Sequence, residues 1–327
     1  MENIKFEIVK ANGINIRIAS IGEGPLVIFC HGWPESWYSY RYQLPAVASA
    51  GYRAVAYDVR GYGESDKPHE IEAYSMKNLV ADVLGLIEAL GYNEAITIGH
   101  DWGGPIALNT AALNPEIITA TGTLSVPYFP RGPIPTIDLW KEIYKDRFFY
   151  QLYFQKEGVA EEEFENDLER ALRLTYTNSD GRGMARAIEQ SGSGLNPSKG
   201  PDSTFLEGMH EFKDLPGWLT QEDINYFVSQ FEISGLRGPL NRYRAQNIDW
   251  QESEGSPETL PQPAFFVTGS LDPVNFFVPS DLSLKERIQS SYDNLILAEE
   301  LEGIGHWTQQ EAPEIVNELI LKFLKGL

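Results

Sequence analysis

The chain opens with two β-type runs of apolar positions, Phe6 to Ala11 and Ile14 to Ile21, separated by the turn signal Asn12-Gly13, and together they predict a hairpin. From Pro25 to Cys30 the pattern is continuously apolar, as in a strand buried on both faces of a parallel sheet. A second such run covers Arg53 to Asp58, after a weakly helical stretch from Tyr38 to Ala50. Between Ser75 and Leu90, the residues Met76, Leu79, Val80, Val83, Leu84, Ile87 and Leu90 recur at helical spacing, with Ser75 placed to cap one end and Gly91 the other. A strand follows at Ala95 to Ile98. Strand and helix in alternation predict an α/β fold with a mostly parallel, doubly wound sheet.

After a helix from Pro105 to Asn114 and a strand-like stretch from Ile117 to Ser125, the alternation stops. The chain then turns aromatic and helical, and the α/β pattern returns only at Ala264 to Gly269. It closes with a helix from Pro313 to Leu324, whose Ile315, Val316, Leu319, Ile320 and Phe323 share one face. This organisation predicts a core made of residues 1–126 and 256–327, with a helical cap, residues 127–255, inserted over the site. Within the cap, Gly192 to Ser203 reads as a mobile surface loop, and Glu161-Glu162-Glu163 with Glu165 as a solvated helix face.

Composition narrows the function classes. The net charge of −21 repels phosphate backbones and anionic lipid surfaces, which argues against nucleic acid or a membrane as partner. The sole cysteine, Cys30, lies in an apolar run and reads as a small buried hydrophobe. No disulfide can form within the chain, the first residues carry no apolar signal core, and no run reaches membrane-spanning length, so a soluble, cytoplasmic protein is expected.

The stretch Gly99-His100-Asp101-Trp102-Gly103 has the form of a nucleophile elbow, a sharp strand-to-helix turn whose small flanking residues lift one side chain out. That side chain is Asp101. A carboxylate is ionised at neutral pH and attacks without a base removing its proton first. The same five letters also suit an Asp that caps the following helix, and both readings stand at this point. In this chain order a base must follow the nucleophile, which leaves His210, in the cap, and His306, in the glycine-rich Gly303-Ile304-Gly305-His306 before the last helix. His306 fits the base and His210 a surface position. Asp272, after the strand ending near Thr268, is the expected orienting acid; Asp281 is the alternative, and a turn-forming role before Pro273 also suits Asp272. The wide spacing from Asp272 to His306 implies a larger loop bordering the site. His31-Gly32-Trp33-Pro34 follows the third strand, so the backbone N–H groups of Trp33 and Trp102 are the expected oxyanion hole. The bend at Pro34 is a place for a cis bond, a form about 5% of X–Pro bonds take. His31 reads as a loop-orienting hydrogen-bond donor and His100 as structural. His31, Pro34 and Trp307 are expected to border the substrate.

The segments His31-Gly32-Trp33-Pro34-Glu35-Ser36, Arg60-Gly61-Tyr62-Gly63-Glu64-Ser65, His100-Asp101-Trp102-Gly103-Gly104 and Gly305-His306-Trp307-Thr308-Gln309 resemble those of the soluble epoxide hydrolases of the α/β-hydrolase superfamily, and the resemblance covers nearly the whole chain. In the cap, Tyr150 to Gln155 and Arg237 to Arg244 are similar to the segments that carry that family's paired tyrosines, which by position are Tyr150 and Tyr243. Tyr153 rivals Tyr150, and Arg242 stands where the family often has Trp, which bears on substrate fit.

The resemblance implies hydrolysis of a small-molecule epoxide by water to a vicinal diol. Asp101 would form an alkyl ester, the tyrosines would donate to the opening oxygen, and His306, held by Asp272, would activate water. No metal or organic cofactor is expected, for there is neither zinc spacing nor a dinucleotide fingerprint. A haloalkane or haloacid dehalogenase with the same nucleophile, and a non-catalytic ligand-binding protein on a hydrolase fold, are the alternatives.

Overall fold

A computed structural model describes residues 3–192, 199–277, 282 and 284–327. Eight strands form one sheet: β1 (Lys5–Ala11), β2 (Ile14–Ile21), β3 (Leu26–Cys30), β4 (Arg53–Tyr57), β5 (Ala95–His100), β6 (Ile118–Leu124), β7 (Leu260–Gly269) and β8 (Tyr292–Leu301), in the spatial order β1-β2-β4-β3-β5-β6-β7-β8. β1 pairs antiparallel with β2, in the register Ala11 to Ile14 that the tight turn dictates, and β2 runs antiparallel to β4. The other pairs are parallel. Helices α1 (Gln43–Ser49), α2 (Met76–Ala89) and α3 (Gly103–Leu113) cover the sheet. α2 packs on α3 and β1, and α1 packs on β4 and the C-terminal helix. All five residues of β3 are buried, as its unbroken apolar run requires.

Eight helices lie between β6 and β7, with no strand there among the described residues: α4 (Thr136–Ile143), α5 (Tyr150–Tyr153), α6 (Val159–Glu165), α7 (Leu168–Ser179), α8 (Gly181–Ser191), α9 (Gln221–Ser234), α10 (Arg237–Arg244) and α11 (Gln246–Glu252). The chain ends with α12 (Leu284–Ile288), α13 (Thr308–Glu311) and α14 (Pro313–Lys325). No helix among the described residues is long and apolar enough to cross a membrane. Residues 193–198 of the expected loop and the alternative acid Asp281 lie outside the described residues.

Two expectations need correction. The Ser75 side chain does not cap α2; its hydroxyl accepts from the Asn78 amide, and the first N–H of α2, that of Met76, is satisfied at 2.6 Å by Asp249 of α11. The acidic run on α6 is not simply a solvated face. Glu161 pairs with Arg244 at 2.7 Å, Glu163 accepts from the Tyr153 hydroxyl and the N–H groups of Phe205 and Leu206, and Glu165 accepts from the Leu236 N–H. These carboxylates satisfy donors that the surrounding loops leave open. The interval between Asp272 and His306 contains α12 and β8. That strand escapes the apolar pattern because it lies at the sheet edge, where Asp293, Asn294, Glu299 and Glu300 meet solvent.

Candidate active site

β4 and β5 flank β3 on opposite sides, so the strand order reverses at β3, and Cys30 sits opposite Gly99 on β5. The loops that leave the ends of β3 and β5 therefore emerge side by side, where open parallel sheets form their sites. Asp101 stands at the β5–α3 turn with φ of +50°, a left-handed conformation that costs a non-glycine residue about 1–3 kcal/mol. The turn closes this tightly because Gly103 has no Cβ; one would meet the Cys30 carbonyl at 1.8 Å. A Cβ on Gly32 would strike Asp101 Oδ1 at 2.3 Å, so the two loops touch through glycine at the nucleophile itself.

The N-cap residue of α3 is Trp102, not Asp101, and no side-chain capping hydrogen bond is made there. Asp101 Oδ1 accepts the Trp33 backbone N–H at 2.7 Å, and Oδ2 faces His306 Nε2 at 3.5 Å. His306 Nδ1 lies 3.0 Å from Asp272 Oδ1, and that oxygen also accepts the Val274 N–H at 2.9 Å. Three side chains from loops after β5, β7 and β8 thus form one line. Burial pushes the Asp272 carboxyl up, but the adjacent imidazole outweighs it and holds the group below the ordinary carboxylate range. Burial also opposes charge on His306, yet Asp272 and Asp101 together raise its pKa well above that of free histidine.

The loop before the last helices is fixed from beneath. The His306 carbonyl accepts from His100 Nε2 at 2.7 Å and from the Ser125 hydroxyl at 3.0 Å. His100 Nδ1 meets Glu35 Oε2 at 2.9 Å, and the same carboxylate accepts the Gly32 N–H and, through Oε1, the Gln309 amide. Glu35 ties both loops together. Sequence reasoning assigned it no role, although an acid inside the His31-to-Ser36 motif is a signal for one. Its burial is outweighed by His100, which draws its carboxyl down to about 2.

His31 Nε2 accepts the Val59 N–H at 3.0 Å, so its proton sits on Nδ1 and is donated to the Gly32 carbonyl at 2.9 Å. Burial lowers its pKa, which keeps the ring neutral in this loop-orienting contact. The Trp33–Pro34 peptide is cis, and the Pro34 carbonyl accepts from the Tyr176 hydroxyl. Trp307 packs edge-on to His306 at 4.7 Å and donates its indole N–H to the Tyr176 carbonyl. His31, Pro34 and Trp307 thus support the site from behind and are not among the residues that line the cavity beside it. His210 is exposed, and Cys30 is buried with its thiol pushed up to about 12 by that burial.

A cavity of about 680 Å³ opens over Asp101, Trp102 and Tyr150, and is walled further out by Phe129, Trp140, Trp250 and Phe277. The Tyr150 and Tyr243 rings meet edge to face, 5.7 Å apart, and Tyr243 also packs on Trp33 and Trp102. Burial and the Asp101 charge raise the Tyr150 pKa; burial, Tyr150 and Asp101 raise that of Tyr243. Both phenols therefore keep their protons. Tyr153 points elsewhere, its hydroxyl on Glu163 at 2.9 Å.

The profile of the alpha/beta hydrolase fold matches residues 25–276. The chain is 36% identical to epoxide hydrolase A of Mycobacterium tuberculosis over 98% of its own length and 97% of that protein's. It is also 36% identical to the bifunctional epoxide hydrolase 2 of Rattus norvegicus, over 96% of this chain and 54% of that longer protein. Among solved structures, an epoxide hydrolase from an endophytic Streptomyces superposes with a TM-score of 0.90 at 39% identity, covering 100% of this chain and 96% of the other. The chain belongs to the epoxide hydrolases of the α/β-hydrolase fold.

In this member of the epoxide hydrolase family, Arg242 is buried and does not line the cavity. Its guanidinium lies 4.7 Å over the Trp102 ring and bonds to the Tyr74 carbonyl and to Asp249. Asp249 in turn holds the start of α2, so one carboxylate links α10, α11 and the core. Burial lowers the Arg242 pKa to about 9, which leaves it charged at neutral pH. It meets the cavity wall through the Trp102 ring, which lines the cavity.

Proposed function

We propose that this protein hydrolyses an epoxide to a vicinal diol through an ester on Asp101, with residues 127–255 forming the cap that supplies Tyr150 and Tyr243. Asp101 Oδ2 attacks a ring carbon, the C–O bond breaks, and its electron pair goes to the epoxide oxygen, which takes a proton from a tyrosine hydroxyl. Water then gives a proton to His306 Nε2 as its oxygen attacks the ester carbonyl carbon. Oδ1 carries the developing charge, held by the Trp33 and Trp102 amides. Collapse expels the second alkoxide, which takes the proton from His306. The proton left on the new Asp101 carboxyl returns to His306, which restores the resting pair.

The pair of protonated phenols beside an aligned Asp101, His306 and Asp272 carries this reading. An alkoxide leaving group is strongly basic and needs a proton; a halide needs none. His306 starts between two carboxylates, and esterification removes one of those charges. Its pKa then falls, its proton passes through solvent to the tyrosinate left by ring opening, and the imidazole becomes a base at the step that requires one.

The experiment is turnover of styrene oxide against 1-bromobutane, with products identified by chromatography and the enzyme by intact mass. Diol formation with an adduct on Asp101, and no bromide release, supports the proposal. Bromide release without epoxide opening would replace it with dehalogenation, and neither product would leave a ligand-binding role.

A further inference from the structure

Glu311, on α13, is used by none of these steps, yet its carboxylate grips the backbone on both sides of His306. Oε1 accepts the Trp307 N–H at 3.0 Å and Oε2 the Gly305 N–H at 3.1 Å, and Oε2 also takes the N–H of Gly181, the first residue of α8, at 2.9 Å. The His306 N–H itself donates to the Ser179 carbonyl at 2.9 Å. The corner between α7 and α8 thus rests directly on the loop of the base, so closely that a Cβ on Gly305 would meet Asp180 backbone at 2.3 Å. Three N–H donors around two oxygens need an acceptor-only group. An ionised carboxylate has lone pairs for all three, whereas a protonated one must turn an O–H toward a site filled by N–H groups.

We propose that ionised Glu311 is a positioning residue for His306, which sets the rate of ester hydrolysis, and that its protonation slows this step from the acid side. The inference rests on the reading of His306 as the base. Attack by Asp101 needs nothing from the imidazole beyond its place, while water activation needs Nε2 aimed at the ester, and misplacement of about 1 Å can cost about 100-fold. Glu311 therefore acts on one of the two chemical steps.

The electrostatic setting agrees. Burial raises the Glu311 carboxyl to about 7, against the lowering effect of the Gly181 and Gly305 N–H groups and with a further upward push from Asp180. Asp180 is the charged group facing it from the α7–α8 corner, and its own carboxylate is engaged by the Gly183 N–H and the Trp218 indole. Arg182 of α8 turns away to the Asp214 carbonyl. On the far side of α13, Arg41 meets Gln310 and is paired with Asp223. His306 is the titratable group of the loop itself, with Asp272 beyond it. As pH falls through about 7 the carboxylate gains a proton and the grip weakens.

The test is rapid mixing of full-length wild type, Glu311→Gln and Glu311→Asp with styrene oxide, with alkylation and ester hydrolysis rates measured separately from pH 6 to 9. The expected result for Glu311→Gln is hydrolysis slowed about 10-fold or more at pH 8, with alkylation within about threefold of wild type, and the ester accumulating by intact mass. The wild-type hydrolysis step should fall on the acid side through protonation of His306 itself and, with a midpoint near 7, of Glu311; Glu311→Gln should lose the second contribution and keep the shallower fall from His306, while Glu311→Asp keeps both, the second at a shifted midpoint. Equal slowing of both steps, an unaffected hydrolysis rate, or an acid limb of unchanged steepness and midpoint in Glu311→Gln overturns the inference. Should Glu311→Gln fail to fold by circular dichroism, a Glu311→Asp hydrolysis profile that superposes on wild type overturns the inference, and one whose limb shifts while alkylation is unchanged supports it. Absence of any ester on wild-type Asp101 brings down the underlying reading as well. A normal ester in wild type with an unaffected variant brings down this inference alone.

Discussion

The backbone N–H of Trp33 lies 2.7 Å from Asp101 Oδ1, the oxygen that does not face His306. The two oxygens of one carboxylate are therefore unequal before any substrate arrives. Oδ1 is held by a backbone donor, and Oδ2 faces the imidazole.

This inequality gives an isotope prediction. In one turnover in H₂¹⁸O with enzyme in excess, the diol should carry unlabelled oxygen from Oδ2, and the label should appear in the peptide that contains Asp101. Label in the first-turnover diol would mean that water attacks the epoxide directly. His306→Gln should still form the ester but lose about 10²- to 10⁴-fold in its hydrolysis, the usual worth of a general base. Asp101→Ala should give neither adduct nor diol.

Asp249 offers a prediction about stability. Its carboxylate bonds to the buried Arg242 and to the first N–H of α2, so Asp249→Ala strands a buried cation and an unsatisfied N–H. Breaking a buried pair from one side typically costs about 3–5 kcal/mol. Urea unfolding should register a loss of that order. The double variant Arg242→Met, Asp249→Leu should lose less, because no charge is left unpaired. A single-variant loss under about 1 kcal/mol would show that this link bears little of the fold.

The sheet was legible in the sequence because its central strands are buried on both faces and read as unbroken apolar runs, and β8 was not because an edge strand carries polar residues on its open side. Asp101 and His306 stood out in the sequence as candidates for nucleophile and base because each sits in a glycine-bounded turn at a place the chain order dictates. Their alignment through Asp272 needed coordinates. Glu35, Glu311 and Asp249 act by accepting backbone N–H groups distant in sequence, and no local pattern announces such a partner. The acidic run at Glu161 to Glu165 misled for the same reason, since solvated carboxylates and those that bridge helices to loops look alike as letters.

The two tyrosines decide between epoxide opening and its nearest rival, and the geometry separates them from their neighbour. Tyr150 lines the cavity beside Asp101, and its ring meets Tyr243, whereas the Tyr153 hydroxyl is engaged by Glu163. Both site phenols have pKa values raised by burial and by the Asp101 charge, so each is a poor acid at rest that becomes useful only as a basic alkoxide forms beside it. General acid assistance is typically worth about 10²- to 10⁴-fold. Removal of one hydroxyl leaves the other to donate, so Tyr150→Phe and Tyr243→Phe should each slow alkylation severely, and the double variant should approach inactivity. Tyr153→Phe should stay within about threefold of wild type, because its hydroxyl serves Glu163 and not the substrate. Hydrolysis of ester already formed should change far less in any of the three, since that step relies on His306. Stopped-flow alkylation with styrene oxide, with folding checked by circular dichroism, measures all of this. A double variant that alkylates Asp101 at close to the wild-type rate would reduce the tyrosines to packing and remove the feature that distinguishes this site from one built to expel a halide.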